Sequence, residues 1–156
     1  MELAIFLDIT IILIISLILF QKTLHLFENI FMFLVTDIVF MNYMGVLYDN
    51  TKILELSAKI DHLIIFHLYE VIVIPILTVW YFNFLYALKD SFRKWMLTIY
   101  YLFTVYAVEF LLLKWEVFSY KGWNASLSFI GMLTMLLIIG VLKNIFKQTL
   151  RKEELL

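Results

Sequence analysis

The sequence predicts an all-α membrane protein, a bundle of five transmembrane helices with the N-terminus outside and the C-terminus inside. Three observations carry this. Of 156 residues, 64% are apolar and 16% are charged, against about 45–50% and about 25% in soluble domains. One small soluble core could not hide so much Leu, Ile, Phe and Tyr. The apolar residues also come in runs long enough for helices to cross a bilayer, which takes roughly 20 residues each. Finally, runs such as Ile11-Ile12-Leu13-Ile14-Ile15 lack the polar–apolar alternation of membrane β-strands. Helices then satisfy the backbone within each segment.

The first span is read from Leu3 to Phe20. A cleaved leader would start with basic residues and end at a small-x-small site. This segment opens Met1-Glu2-Leu3, holds Asp8 and ends Phe20-Gln21-Lys22, so it is read as a retained helix. The second span is Leu26 to Tyr48, the third His62 to Leu88, the fourth Trp95 to Leu113 and the fifth Ala125 to Leu142. The longest connection, Asp49 to Asp61, mixes Ile53, Leu54, Leu56 and Ile60 with charges. It is expected to lie on the membrane surface as a helical turn or two. Pro75 removes a backbone donor inside the third span and should kink it. Residues 1–142 form the five-span domain, and 143–156 form a basic cytoplasmic tail continuing the last helix.

Basic residues set the orientation, because cytoplasmic loops hold the excess of Lys and Arg. One set of loops, with the C-terminus, holds Lys22, Lys89, Arg93, Lys94, Lys143, Lys147, Arg151 and Lys152; the other holds Lys52, Lys59, Lys114 and Lys121. Eight against four favours an outer N-terminus. Lys143, Lys147 and Arg151 recur every fourth residue and share a helix face. They are read as a membrane anchor able to meet anionic lipid headgroups. Tyr and Trp residues near the span ends, such as Trp95, Trp115 and Tyr120, read as an interfacial belt.

Function has to be sought among polar residues within the spans. Asp8, Asp37, Glu70 and Glu109 are acids in apolar surroundings, where each costs roughly 2.5–3.5 kcal/mol near mid-depth. The predicted topology puts all four in the middle or outer half. His67 precedes Glu70 by three residues and shares its face; Asn42 lies about a turn above Asp37. No Lys or Arg is expected inside a span. The acids are then protonated, hold a cation, or line a wet cavity. Asp37, Asn42, His67, Glu70 and Glu109 are the candidate ligand- or ion-binding residues. His67 and Glu70 are half of a possible metal site, which would need further ligands. The plainer reading is a polar network holding helices together. Convergence of Asp37, His67, Glu70 and Glu109 in one outward-facing cavity is expected. The loop Tyr120, Trp123, Asn124 would cover it, with Gly122 turning the chain and Asn124 capping the fifth helix.

The stretch Glu109-Phe110-Leu111-Leu112-Leu113-Lys114-Trp115-Glu116-Val117-Phe118-Ser119-Tyr120-Lys121-Gly122-Trp123-Asn124 resembles a family of small, uncharacterised multi-spanning membrane proteins of endospore-forming Gram-positive bacteria. Asp61-His62, Pro75 with Thr78-Val79, and Asp37 with Asn42 are similar to that family as well. Gln21-Lys22-Thr23-Leu24-His25 departs from its charge- and Trp-rich pattern after the first helix. The resemblance implies a bacterial plasma-membrane or spore-membrane setting and no activity.

Cysteine is absent, which excludes disulfides and thiolate chemistry. Nucleotide-binding glycine motifs and Gly-x-Ser-x-Gly are absent too, and no cofactor is called for. Basic residues sit at membrane boundaries, so no nucleic-acid partner is expected. The leading reading is a non-enzymatic component whose acidic cluster binds or conducts a small solute or ion. One alternative is an accessory subunit, or a homo-oligomer, using Ala125, Ser128, Gly131, Thr134 and Gly140 for close helix approach. Another is an intramembrane enzyme acting on lipid or isoprenoid through Glu70 or Glu109.

Overall fold

The computed structural model describes residues 1–19, 23–122 and 124–152. Five helices are long and apolar enough to cross a membrane: Glu2–Leu19, Leu26–Asn50, Ile60–Ala87, Ser91–Lys114 and Ser126–Lys152. In chain order the elements are α1 (Glu2–Leu19), α2 (Leu26–Gly45) running into a π turn (Val46–Asn50), and β1 (Leu54–Leu56). The third span is α3 (Ile60–Leu68), a π turn (Tyr69–Val73) and α4 (Ile74–Ala87). Then come α5 (Ser91–Lys114), β2 (Phe118–Tyr120) and α6 (Ala125–Lys152).

The third span is the hub. It packs on α1, α2 and α5, while α6 closes against α2 and α5. Over half of its apolar window is buried, against 11% for α1. Most of α1 therefore turns Ile and Leu side chains outward, as a lipid-facing helix should. The core is aromatic and sulfur-rich, with Met32, Phe40, Met44, Phe66 and Tyr69 nearly inaccessible.

Helix ends follow local chemistry. The Asp90 carboxylate accepts the Phe92 N–H at 3.3 Å, so α5 starts at Ser91 rather than Trp95. His25 and Glu28 form a reciprocal capping box at the start of α2, satisfying two N–H groups that helix geometry leaves free. Asn124 Oδ1 accepts the Leu127 N–H at 2.9 Å, the expected cap of α6. Gly122, at φ +83, supplies the turn before it, a conformation open to glycine.

Pro75 acts differently from a simple kink. Having no N–H, it cannot complete the α-helical bond to the preceding turn. The chain widens just before it, and the Ile74 N–H bonds five residues back to Tyr69 O. The resulting π turn contains Glu70.

The connection after the second span is also not helical. Leu54–Leu56 pairs antiparallel with Phe118–Tyr120, in the register Leu54↔Tyr120, Glu55↔Ser119, Leu56↔Phe118. Lys52 (φ 52) and Glu116 (φ 55) turn the chain into the two strands through left-handed backbone. Leu54 and Phe118 face the core and Glu55 and Ser119 face out; Lys121 pairs with Glu55 across the ribbon. The ribbon, the start of α1 and the start of α3 meet at one end of the bundle. There the buried His62 bridges Glu2 (3.3 Å), Ser57 (3.0 Å) and the Glu116 carbonyl (3.2 Å).

Candidate functional site

The ribbon positions the most distinctive polar group. Glu109, on the inner face of α5, is 2% exposed. Its Oε1 accepts from the Ser128 hydroxyl of α6 at 2.5 Å and from the Tyr120 hydroxyl of β2. Its Oε2 is buried without a hydrogen bond, as is the hydroxyl of the fully buried Tyr69. Tyr69 and Tyr43 both lie within electrostatic range of Glu109. Tyr43 reaches this position because Gly131 has no side chain: a Cβ there would stand 2.9 Å from the Tyr43 ring carbons. The site is thus a carboxylate ringed by hydroxyls from four elements. Three of its oxygens, Glu109 Oε2 and the Tyr69 and Tyr43 hydroxyls, are buried without a hydrogen bond, an uncommon state for buried groups.

The other predicted residues form a second group. His67 Nδ1 lies 3.5 Å from Glu70 Oε2, with the His67 side chain 62% exposed and that of Glu70 3%. Asp37, half-buried on α2, is within electrostatic range of Glu70. Among the described residues no hydrogen bond or ion pair joins this group to Glu109, and Tyr69 lies within electrostatic range of both acids. These contacts thus join the expected residues as Glu109 with its hydroxyls and Glu70 with His67 and Asp37. Asn42 joins neither group: it is exposed and its amide donates to Ile38 O of its own helix at 2.7 Å. Asp8 is exposed on α1. Of the expected loop residues, Tyr120 donates its hydroxyl to Glu109; Trp123 lies outside the described residues. Among the described residues no three or more His, Asp or Glu side chains gather as a metal site, so His67 and Glu70 remain a pair.

At the opposite end the sequence reading needs correction. Lys143 does not share the exposed headgroup stripe with Lys147 and Arg151. It is 0% exposed, lies 3.9 Å from Glu28 Oε1 and stacks over the Tyr86 ring at 3.2 Å from its centroid. Lys147 also reaches Glu28, at 3.8 Å. A cation does therefore enter a span, and Glu28, an acid the sequence reading passed over, faces it. The physical cause is an α6 that extends past Leu142 without a break, so Lys143 still packs against α2 and α4. Two signals were present: His25-x-x-Glu28 has capping-box spacing, and Lys143 and Lys147 share a helix face. Beside this pair, Asn83 accepts the Thr23 and Leu24 N–H groups and donates to Asn29 Oδ1 at 2.6 Å. This network ties the turn between α1 and α2 to the third span.

The small residues of α6 are used internally. Ser128 serves Glu109, Gly131 receives Tyr43, and a Cβ on Gly140 would contact Phe82. Thr134 is exposed and bonded to its own helix. Comparison with family models, curated proteins and solved structures finds no match to this chain.

Proposed function

We propose that this protein is a non-enzymatic component of a bacterial cell membrane, with its N-terminus outside, that binds and conducts a small monovalent cation or proton at Glu109. The carrying observation is a pair of buried oxygens without hydrogen bonds, Glu109 Oε2 and the Tyr69 hydroxyl, whose residues lie within electrostatic range of each other. An incoming proton or cation would complete both. Oxygen donors suit hard cations rather than thiophilic metals. The site lies at the ribbon end, whose loops carry fewer basic residues, which supports an outward placement. Glu70, with Asp37 and the exposed His67, offers a second acidic station within electrostatic range of Tyr69. The bacterial setting is supported by the resemblance of the Glu109–Asn124 stretch. Ser128, Gly131 and Gly140 of α6 meet Glu109, Tyr43 and Phe82 of this chain, which supports a site within the bundle over an accessory role.

Purified protein in sealed vesicles tests this, with proton, Na⁺ and K⁺ gradients imposed in turn and internal dyes as readout. Flux of one of these ions above that of empty vesicles is expected. Glu109→Gln, which keeps the acceptor for Tyr120 and Ser128, should lower it by at least about tenfold, the effect of ~1.4 kcal/mol on a barrier. Protein-containing vesicles that match empty ones for all three ions would overturn the reading.

A further inference from the structure

A cavity of about 600 Å³ lies between α4, α5 and α6 at the end away from the ribbon, within the range of about 300–1,000 Å³ that holds small ligands. Order along the helices gives it two levels. Ser91, Lys94, Trp95 and Lys143 are at the level of the α5 start, while Thr98, Leu133 and Leu137 lead toward mid-span. The Lys143 ammonium is fully buried, has three N–H groups and makes no hydrogen bond. Its carboxylate neighbour is shared: Glu28 Oε1 faces Lys143 and Lys147 at 3.9 and 3.8 Å, while Glu28 Oε2 already accepts the His25 N–H. Lys94 joins Lys143 on the cavity wall, with Lys147 close behind at Glu28. One acid against three bases leaves a positive surplus in a sheltered site, where an unpaired charge is expensive.

We propose that this cavity holds one anionic phospholipid, its phosphate between Lys143 and Lys94 and an acyl chain passing Trp95 to lie along Leu137 and Leu133. The apolar level favours a lipid over a free phosphate. Trp95 and Leu137 are 71% and 63% exposed on the outer face of the bundle, so a bilayer lipid can enter sideways. Charged Lys at one end and apolar surface below match an anionic amphiphile in both respects. The proposal does not depend on ion conduction at Glu109.

Short-chain phosphatidylglycerol, phosphatidylcholine of the same chains, and inorganic phosphate are each titrated onto the detergent-purified chain. Bound molecules are counted by native mass spectrometry. One phosphatidylglycerol per chain is expected, bound at least about tenfold more tightly than phosphatidylcholine, as a charge-assisted contact provides. Lys94→Gln, at a half-buried position, should remove most of that preference, and Leu137→Trp, on an exposed face, should weaken both lipids by filling the groove. Equal binding of the two lipids, or unchanged binding in both variants, would overturn the proposal. So would inorganic phosphate displacing the lipid at equal concentration, which would mark a site for soluble anions.

Discussion

Tyr69 illustrates how single side chains separate stability from function in this bundle. Its hydroxyl is buried and makes no hydrogen bond, a condition that costs about 1–3 kcal/mol. Tyr69→Phe keeps the ring that packs at right angles on Phe40 and removes the isolated oxygen. The variant should resist unfolding by about 1 kcal/mol more than the parent, and ion flux should fall as with Glu109→Gln. Unfolding in graded denaturing detergent and the vesicle assay read the two effects separately; a less stable Phe variant would mean that the hydroxyl has a partner in the membrane. Gly131 and Gly45 make a complementary pair. Gly131→Ala would drive a methyl into the Tyr43 ring and should destabilise by about 1–3 kcal/mol, as overpacking does. Gly45→Ala meets nothing within 4 Å in a helix interior, and should stabilise by up to about 1 kcal/mol. Equal effects at the two glycines would show that Tyr43 does not rest on Gly131.

Among the elements, the interrupted third span does most to arrange the site. Its π turn puts Tyr69 toward Glu109 and Glu70 toward Asp37 and His67. Pro75→Ala restores the missing N–H, so a regular α-helix can form through the turn. Closing it by one residue would rotate the preceding residues by about 100° relative to α4. Flux should fall by at least about tenfold, ~1.4 kcal/mol on the barrier, while the fold persists and amide exchange over residues 69–74 slows. Unchanged exchange and flux would show that Pro75 does not set the register. The sequence showed that something happens at Pro75, because a missing donor is visible in one letter. It did not show whether the chain would bend or widen, which the packing of Tyr69 and Glu70 decides. The five apolar runs were legible for the same reason that periodicity usually is: lipid imposes a length. The ribbon was not. Leu54-Glu55-Leu56 alternates over only three residues, its partner is more than sixty positions away, and Lys52 and Glu116 adopt left-handed backbone without a glycine to announce it. Glu109 was legible as a buried acid, but its partners Tyr43, Tyr69 and Ser128 come from distant segments. Helix rotation, which sequence spacing cannot give between separate helices, chooses them.

On the scale of the whole molecule, the two ends differ in chemistry. One end has the ribbon, His62 and the Glu109 site. The other has Lys143, Lys147, Lys94 and Arg93 around the starts of α2 and α5 and the continuation of α6. The proposed orientation puts the ribbon end outside and the second end, where basic residues accumulate, in the cytoplasm. The chain has no cysteine, so single introduced thiols can report this directly. Ser119 is exposed at the centre of β2, and Gln148 is exposed on the last turns of α6; among the described residues neither side chain makes a hydrogen bond or ion pair. In intact bacterial cells, Ser119→Cys should react with a membrane-impermeant maleimide, whereas Gln148→Cys should react only after permeabilisation. The reverse pattern would put the Glu109 site on the cytoplasmic face and would turn the proposed lipid groove toward the outer leaflet. Labelling of both positions in intact cells would contradict an odd number of crossings, because α5 and α6 would then no longer deliver their far ends to opposite sides.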